Sequence, residues 1–357
     1  MPGAVLGTAS GVALGAAPAT PPGTAHETTP AAVPPVTRPR VIALIGPTAS
    51  GKTGLAIALA HRFYGEIISI DSALVYRGMQ VGTAKPSMDE RRGIPHHLVD
   101  IIDPVETYSA ARFCEDTLHL IDEIQARGKL PILAGGTMMY FNALREGLDE
   151  LPPSDPRARN AVALMATQRT WPELHAQLAT IDPDSARRIA PNDSQRIGRA
   201  LEIHFTTGRT MTEMLGRRAS TEGGSGVARL PFDLLTVSLE PSDRAQLHRR
   251  IAQRFDDMLR RGLLDELIWL RDQYPRLHAD MPSMRCVGYR QAWMHLEGVI
   301  DRAGLREQGI AATRQLAKRQ LTWLRSMADL TRIDCLRSGL EAHVMALIQS
   351  FLEGKST

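Results

Sequence analysis

A glycine-rich segment, GPTASGKT at residues 46–53, carries the most recognisable chemistry in this sequence. It matches the pattern GxxxxGK[ST] and lies between a short apolar run, 40–46, and a segment of helical periodicity, 54–62. In such a loop the backbone N–H groups bind phosphate, Lys52 adds a positive charge, and the Thr53 hydroxyl can coordinate Mg²⁺. A simple glycine-rich turn would not explain Lys52 or Thr53. We therefore predict a phosphate site formed by Gly46, Pro47, Thr48, Ala49, Ser50, Gly51, Lys52 and Thr53.

A carboxylate, Asp71, directly follows a second β-branched run at 66–70. At the carboxyl end of a parallel strand, beside the phosphate loop, it could accept a proton as a general base. It could equally coordinate Mg²⁺ as a Walker-B aspartate, and the residue pattern leaves both roles open. The phosphate loop alone also predicts nucleotide binding, such as ATP binding in an ATPase or kinase, so the rest of the chain must decide.

Two adjacent histidines, His96 and His97, precede Asp100 and Asp103 at a spacing that resembles metal ligation. Adjacent histidines in a loop usually point apart, and no further cluster of ligand-type residues follows nearby. We therefore predict a structural role for this segment rather than a metal site.

Apolar runs that each end in a polar loop predict parallel strands at 40–46, 66–70, 131–134 and 232–239. Helical patterns follow at 54–62 and 138–147, and Ser109 begins a helix with Leu118, Ile121 and Ile124 on one face. This alternation predicts an α/β fold, a P-loop NTPase-like doubly wound parallel sheet formed by residues 40–154 and 229–357. A further helix after residue 242 carries an apolar stripe of Leu247, Ile251, Phe255, Met258 and Leu259.

The stretch 155–228 is a predicted helical insertion domain. Its helical segments are 155–167, 171–179, 184–189 and 194–207, and Gly208 stops the last of them. Residues 1–39 are rich in Ala and Pro, and such a composition cannot bury enough apolar surface to order the chain. We predict a disordered tail there.

The composition describes a soluble protein: 357 residues, 43% hydrophobic, with a mean hydropathy of −0.17. The longest apolar runs fall well short of the roughly 20 residues of a membrane span. Three cysteines, Cys114, Cys286 and Cys335, are too far apart for a zinc pair or a disulfide framework, which indicates a reducing compartment. The net charge of +3 does not by itself imply nucleic-acid binding. We expect a cytoplasmic monomer.

Six segments together resemble bacterial tRNA dimethylallyltransferases, the IPP transferase family. They are DSALVYRGMQVGTAKP (71–86), PHHLVD (95–100), AGGTMMYFNALREGL (134–148), PNDSQRIGRALE (191–202), RCVGYRQ (285–291) and TRQLAKRQLTWLR (313–325). The resemblance covers residues 41 to about 330. It implies transfer of a dimethylallyl group from dimethylallyl diphosphate to the exocyclic amine of the adenosine 3′ of the anticodon in tRNA, with release of diphosphate. The phosphate loop would then hold a leaving group.

The resemblance also implies roles for individual residues. Asp71 would be the general base, Arg254 would contact the diphosphate, and Thr53 would act with Mg²⁺; these three are the predicted catalytic residues. The absence of a Cys/His zinc module after residue 330 fits the bacterial rather than the eukaryotic members.

The spacing in the segment 313–325 predicts a helix with two faces. Arg314, Lys318 and Arg325 fall within about 40° of one another on a helical projection, whereas Leu316, Trp323 and Met327 cluster opposite. We predict a basic face and a core face. Because a basic face is usually only solvated surface, its assignment to RNA rests on the resemblance.

Guanidinium and aromatic groups near residue 289 could stack on unpaired bases. The resemblance implies that they and other segments contact the tRNA anticodon stem-loop. The implied tRNA contacts are Asp71, Ser72, Ala73, Leu74, Thr137, Arg159, Gln195, Arg196, Ile197, Gly198, Arg199, Arg285, Cys286, Val287, Gly288, Tyr289, Arg290, Lys318, Arg319, Gln320, Leu321, Thr322, Trp323, Leu324 and Arg325.

Two other functions fit parts of the pattern. A free adenine nucleotide could be the acceptor, although the helical insertion and the basic C-terminal elements argue against it. A P-loop kinase or NTPase that binds RNA would hydrolyse nucleotide and would need a Walker-B aspartate distinct from the general base, whereas Asp71 alone is available for both roles.

Overall fold

The computed structural model describes residue 3 and residues 38–148, 151–215 and 230–355. Most of the predicted tail lies outside these residues. Arg38 and Pro39, which the prediction assigned to the tail, belong to the folded body instead. Arg38 forms an ion pair with Asp233 at 3.0 Å, and the carbonyl of Pro39 accepts a hydrogen bond from the backbone N–H of Asp233. The folded body therefore includes two residues that the prediction assigned to the tail.

A six-stranded parallel sheet forms the centre of the fold. Its strands are β1 (Arg40–Ile45), β2 (Gly65–Ile70), β3 (His96–His97), β4 (Leu130–Gly135), β5 (Asp233–Glu240) and β6 (Thr331–Asp334), in the spatial order β3-β2-β4-β1-β5-β6. The four predicted strands are all present, within a residue or two of their predicted ends. The sequence did not predict β3 and β6, because strands of two and four residues are too short to show a periodicity.

Helices cover both faces of this sheet, and four of the helices with printed bounds, α5 to α8, pack around a separate cluster. They are α1 (Lys52–Arg62), α2 (Met88–Arg91), α3 (Ala110–Ala126), α4 (Met138–Glu146), α5 (Pro156–Gln168), α6 (Trp171–Ile181), α7 (Pro183–Arg188), α8 (Ser194–Thr207), α9 (Arg244–Arg260), α10 (Leu263–Gln273), α11 (Tyr289–Leu296), α12 (Arg302–Ser326) and α13 (Leu340–Leu352). None of the helices in the described ranges is long and apolar enough to cross a bilayer.

The alternation along β1 shows how the sheet divides the core. Val41, Ala43 and Ile45 belong to one buried cluster, which includes residues of α3, α4, α9 and α12, whereas Ile42 and Leu44 belong to another, formed with α1 and α13. Successive side chains of a strand point to opposite faces, so a strand buried on both sides must be apolar throughout. This is the doubly wound arrangement that the sequence predicted.

Helix α3 begins where predicted, because the Ser109 side chain accepts a hydrogen bond from the backbone N–H of Arg112. Its predicted apolar face is partly wrong. Ile121 and Ile124 are buried, but Leu118 is 36% exposed. The buried positions that complete the face are Phe113 and Thr117.

Helices α5 to α8 have a hydrophobic cluster of their own, which includes Leu174, Leu178, Ile197 and Leu201. Helix α8 ends at Gly208, whose φ of +69° is the left-handed conformation that glycine adopts readily. The part of the predicted insertion at 216–228 lies outside the described residues.

Candidate active site

The loops that follow β1, β2 and β4 meet at the carboxyl edge of the sheet and form one wall of a cavity of about 830 Å³. Helices α9 and α12 and the segment 285–287 supply further parts of its lining, as do residues near 82–86 and 96–99. Ligands of open parallel sheets bind at this edge, where successive loops diverge. The fold therefore brings together groups that lie far apart in the sequence.

The phosphate loop is held tightly against its neighbours. A Cβ atom on Gly46 would lie 2.6 Å from the carbonyl oxygen of Leu239, so no larger residue fits there without movement. Gly51 precedes α1 with a φ of +89°. Lys52 donates a hydrogen bond to the carbonyl of Pro47 at 2.6 Å, and burial together with the neighbouring Arg254 lowers the pKa of Lys52 to about 7. A bound anion would favour the charged form of this lysine.

Asp71 directly follows β2 and lines the cavity. Its Oδ1 accepts a hydrogen bond from the backbone N–H of Ala73 at 2.9 Å. The next residue is fixed by Thr137, whose Oγ1 accepts a hydrogen bond from the N–H of Ser72 at 3.0 Å. Within the described ranges, Asp71 has no ion-pair partner, so its second oxygen is available to a ligand.

Two arginines of α9 face the same cavity, one helical turn apart. Arg254 was predicted; it makes one long contact of 3.5 Å, with the carbonyl of Thr83, and burial lowers its pKa although Asp71 opposes that shift. Arg250 was missed, and it has no carboxylate partner in the described part of the chain. The signal that could have found it is the i, i+4 spacing from Arg254 beside an apolar stripe.

Helix α12 forms the side of the cavity next to the phosphate loop. The side chain of Gln320 bridges two loops: its Oε1 accepts a hydrogen bond from the N–H of Thr48, and its Nε2 donates to the carbonyl of Gly136, both at 2.8 Å. The prediction that Leu316 and Trp323 form a core face is wrong. Both line the cavity, and Trp323 is 40% exposed.

A family model described as IPP transferase matches residues 74–327, which is more than half of the chain. The chain belongs to the IPP transferase family. It is 54% identical to a tRNA dimethylallyltransferase from Burkholderia cenocepacia (strain HI2424) over 321 residues, which cover 90% of this chain and 98% of that protein. It is 55% identical to a tRNA dimethylallyltransferase from Thiobacillus denitrificans over 314 residues, or 88% of this chain and 97% of that one.

Solved structures also match. A tRNA isopentenylpyrophosphate transferase from Bacillus halodurans is 35% identical with a TM-score of 0.62, covering 88% of this chain and 96% of that chain. A eukaryotic dimethylallyltransferase described as acting on tRNA is 28% identical with a TM-score of 0.72, covering 89% and 80%. The predicted family, α/β fold class and enzyme class are confirmed.

Most of the residues predicted from the IPP transferase pattern to contact RNA fall into three groups in the structure. The first group lines the cavity beside the phosphate loop and includes Asp71, Ser72, Ala73, Leu74, Thr137, Arg285, Cys286, Val287, Arg319, Gln320 and Trp323. The second group is exposed on outer surfaces and includes Arg159, Gln195, Arg196, Arg290, Lys318, Thr322 and Arg325. Apart from Gln320, which is buried, the members of both groups are at least partly exposed.

The third group is buried, which corrects part of the prediction. Tyr289, expected to stack on bases, is fully buried, and its hydroxyl donates a hydrogen bond to Glu266. Leu321 and Leu324 pack in the core, and Ile197 packs inside the helical insertion. Their side chains support neighbouring surface residues rather than offering contacts of their own.

Arg199 is half-buried and already has partners. It forms an ion pair with Glu202 at 2.9 Å and donates a hydrogen bond to the carbonyl of Pro152. The Glu202 carboxylate in turn accepts a hydrogen bond from the N–H of Asp155, where the insertion begins. These contacts join the insertion to the segment that leads into it.

The histidine pair has structural partners. His97 contacts the carboxylate of Glu66 at 2.7 Å, and Arg127 and Lys129 bind the same carboxylate at 2.8 and 2.9 Å. Burial alone would raise the pKa of Glu66, but these hydrogen bonds lower it to about 2. The predicted structural role is consistent with this network, which joins β2, β3 and the start of β4.

A magnesium ion at the phosphate loop would need phosphate oxygens from a bound substrate in addition to protein groups. Thr53 is exposed on the first turn of α1, and its hydroxyl has no hydrogen-bond partner among the described residues. Those residues contain no group of three or more His, Cys, Asp or Glu side chains that could hold a metal. Mg²⁺ usually keeps water and phosphate oxygens and takes one or two protein ligands, so Thr53 and Asp71 fit such an ion.

Proposed function

We propose that this protein transfers a dimethylallyl group from dimethylallyl diphosphate to the exocyclic amine of the adenosine 3′ of the anticodon in tRNA. The observation that carries the proposal is that one carboxylate without an ion-pair partner among the described residues, Asp71, lines the same cavity as Lys52, Arg250 and Arg254. The cations suit a diphosphate leaving group, and the carboxylate suits a proton acceptor. One cavity therefore holds groups suited to both halves of a transfer reaction.

In the proposed reaction the bond between the allylic carbon and the diphosphate oxygen breaks, and a bond forms between that carbon and the adenosine nitrogen. Negative charge develops on the diphosphate, where Lys52, Arg254 and the loop N–H groups stabilise it. The amine loses a proton, which Asp71 accepts. Thr53 would hold a Mg²⁺ ion, which would supply further positive charge to the leaving group.

The acceptor is proposed to be RNA rather than a free nucleotide. Arg314, Lys318 and Arg325 are exposed on the outer face of α12, without ion-pair partners in the described ranges, and such a face suits a phosphate backbone. The insertion adds exposed Arg159 and Arg196. An adenosine in an anticodon loop is already single-stranded, so moving it into the cavity costs less than opening a duplex. We further propose a monomer that acts in the cytoplasm, where its tRNA substrate would be found.

Incubation of the protein with labelled dimethylallyl diphosphate, Mg²⁺ and unmodified tRNA tests the proposal. We expect label in the tRNA and one diphosphate released for each group transferred. Parallel reactions with AMP as acceptor, and with ATP in place of the prenyl donor, test the two other functions. Transfer to AMP but not to tRNA, or ATP hydrolysis without transfer, would overturn the proposal.

A further inference from the structure

Gln320 occupies an unusual position among the residues of α12. It is 8% exposed, and both polar atoms of its amide are engaged, by the N–H of Thr48 and the carbonyl of Gly136. The buried amide therefore bonds to the protein and offers little surface to an RNA ligand. The side chain therefore links a helix to two loops that lie, respectively, 272 and 184 residues away in the sequence.

The two loops hold the two ends of the proposed reaction. Thr48 belongs to the phosphate loop, which would hold the diphosphate. Gly136 directly precedes Thr137, whose Oγ1 accepts a hydrogen bond from the N–H of Ser72, the residue after Asp71. A continuous series of contacts thus runs from Gln320 to the phosphate loop in one direction and to the segment of Asp71 in the other.

The atoms around Gln320 are closely packed. A Cβ atom on Gly136 would lie 2.5 Å from Nε2 of Gln320 and 3.1 Å from the carbonyl oxygen of Gly46. Groups packed this closely move together, because a shift of one creates an overlap or an unsatisfied polar group at the next. A displacement of Gln320 would therefore reach both loops.

The same helix carries the face proposed for RNA. Lys318 and Arg325 are exposed without ion-pair partners in the described part of the chain, while Leu316, Arg319 and Trp323 line the cavity. RNA that binds both sides of α12 would fix the position of the helix, and hence of Gln320, relative to the sheet.

We propose that Gln320 is a positioning residue that couples RNA binding on α12 to the geometry of the phosphate loop. This inference rests on the proposed function, since it takes RNA and diphosphate as the two ligands. RNA would hold the loop in its binding conformation and raise the affinity for diphosphate. By linkage, diphosphate must raise the affinity for RNA by the same factor.

Calorimetric titration of the full chain with inorganic diphosphate and Mg²⁺, with and without a saturating unmodified anticodon stem-loop RNA, measures this coupling. We expect RNA to tighten diphosphate binding by about tenfold, within the usual range of such couplings. Gln320→Met keeps the size of the side chain and removes both hydrogen bonds, so the factor should fall to about twofold or less while the affinity for RNA alone is kept. Gln315, exposed on the same helix, provides the matched control: Gln315→Met should keep the wild-type factor.

Gln320→Glu provides a second variant if the methionine variant loses cooperative thermal unfolding. It keeps an acceptor for the N–H of Thr48 but places an oxygen against the carbonyl of Gly136, so it too should lose the coupling. Wild-type coupling in either folded variant would overturn the inference, as would independent binding of both ligands to the wild type. Failure of the wild type to prenylate tRNA is a different result and would refute the proposed function itself.

Discussion

Replacement of Asp71 by Asn tests the assignment of the general base with little disturbance of the structure. Asn keeps an oxygen that can accept the hydrogen bond from the N–H of Ala73, which is 2.9 Å long, so the loop should keep its shape. The change removes the negative charge and the ability to take up a proton. A positioned general base contributes roughly 10²- to 10⁴-fold, so we expect kcat to fall by about 10³-fold, or about 4 kcal/mol in the activation barrier.

The binding of the prenyl donor should respond differently from kcat. The Asp71 carboxylate interacts electrostatically with both Lys52 and Arg254. Its removal leaves a more positive site, so the affinity for dimethylallyl diphosphate should stay equal or increase. A large loss of kcat without a rise in KM for the donor is the pattern of a group that acts in the transition state.

Single-turnover transfer of labelled prenyl groups to tRNA, together with circular dichroism as a check on folding, provides the assay. Asp280→Asn serves as the matched control, because Asp280 is exposed and makes no hydrogen bond or ion pair in the described residues. A rate for Asp71→Asn within tenfold of the wild type would refute the assignment. A loss of donor binding equal to the loss of rate would instead indicate a metal-binding role.

Three further outcomes follow from the structure. Arg250→Ala should raise KM for dimethylallyl diphosphate about tenfold, whereas Arg249→Ala, which changes an exposed neighbour, should leave this KM unchanged. Equal changes of KM in the two variants would contradict a contact between Arg250 and the diphosphate. The lowered pKa of Glu66, about 2 against a usual 4.5, stabilises the fold fully above pH 4.5 and progressively less as the pH falls towards 2, by at most about 3 kcal/mol. Urea titrations should show this loss, and a Glu66→Gln variant that loses as much stability as the wild type over this pH range would contradict it. The Glu266 carboxylate accepts hydrogen bonds from three consecutive backbone N–H groups, those of residues 80–82. Glu266→Gln should therefore lower the free energy of unfolding, measured in urea, by about 1.5–3 kcal/mol, and an unchanged midpoint would show that the charge is dispensable.

Local sequence determined much of the fold. The phosphate loop could be recognised because its function needs glycine, lysine and threonine at fixed spacing between a strand and a helix, all within residues 46–53. The helix caps at Ser109 and Gly208 could also be predicted from the sequence, since capping depends on residues within one helical turn. The family resemblance then indicated which enzyme class this loop serves.

Only the tertiary structure decided which residues of a helix face the site and which face the core. The helical pattern of 313–325 correctly separated a basic face, but it could not show that Leu316 and Trp323 line a cavity while Leu321 and Leu324 form the core. Apolar residues suit both surroundings, so composition does not distinguish them.

The same limit applies to Tyr289 and Gln320, both of which looked like surface contacts. Their partners, Glu266 and the loops at Thr48 and Gly136, lie 23 to 272 residues away, and no local periodicity reports contacts of that range. The sequence by itself determined that a phosphate loop, a neighbouring carboxylate and a basic helix exist. Only the folded chain decided that a single glutamine joins them, because hydrogen bonds between distant segments depend on how the sheet and helices pack.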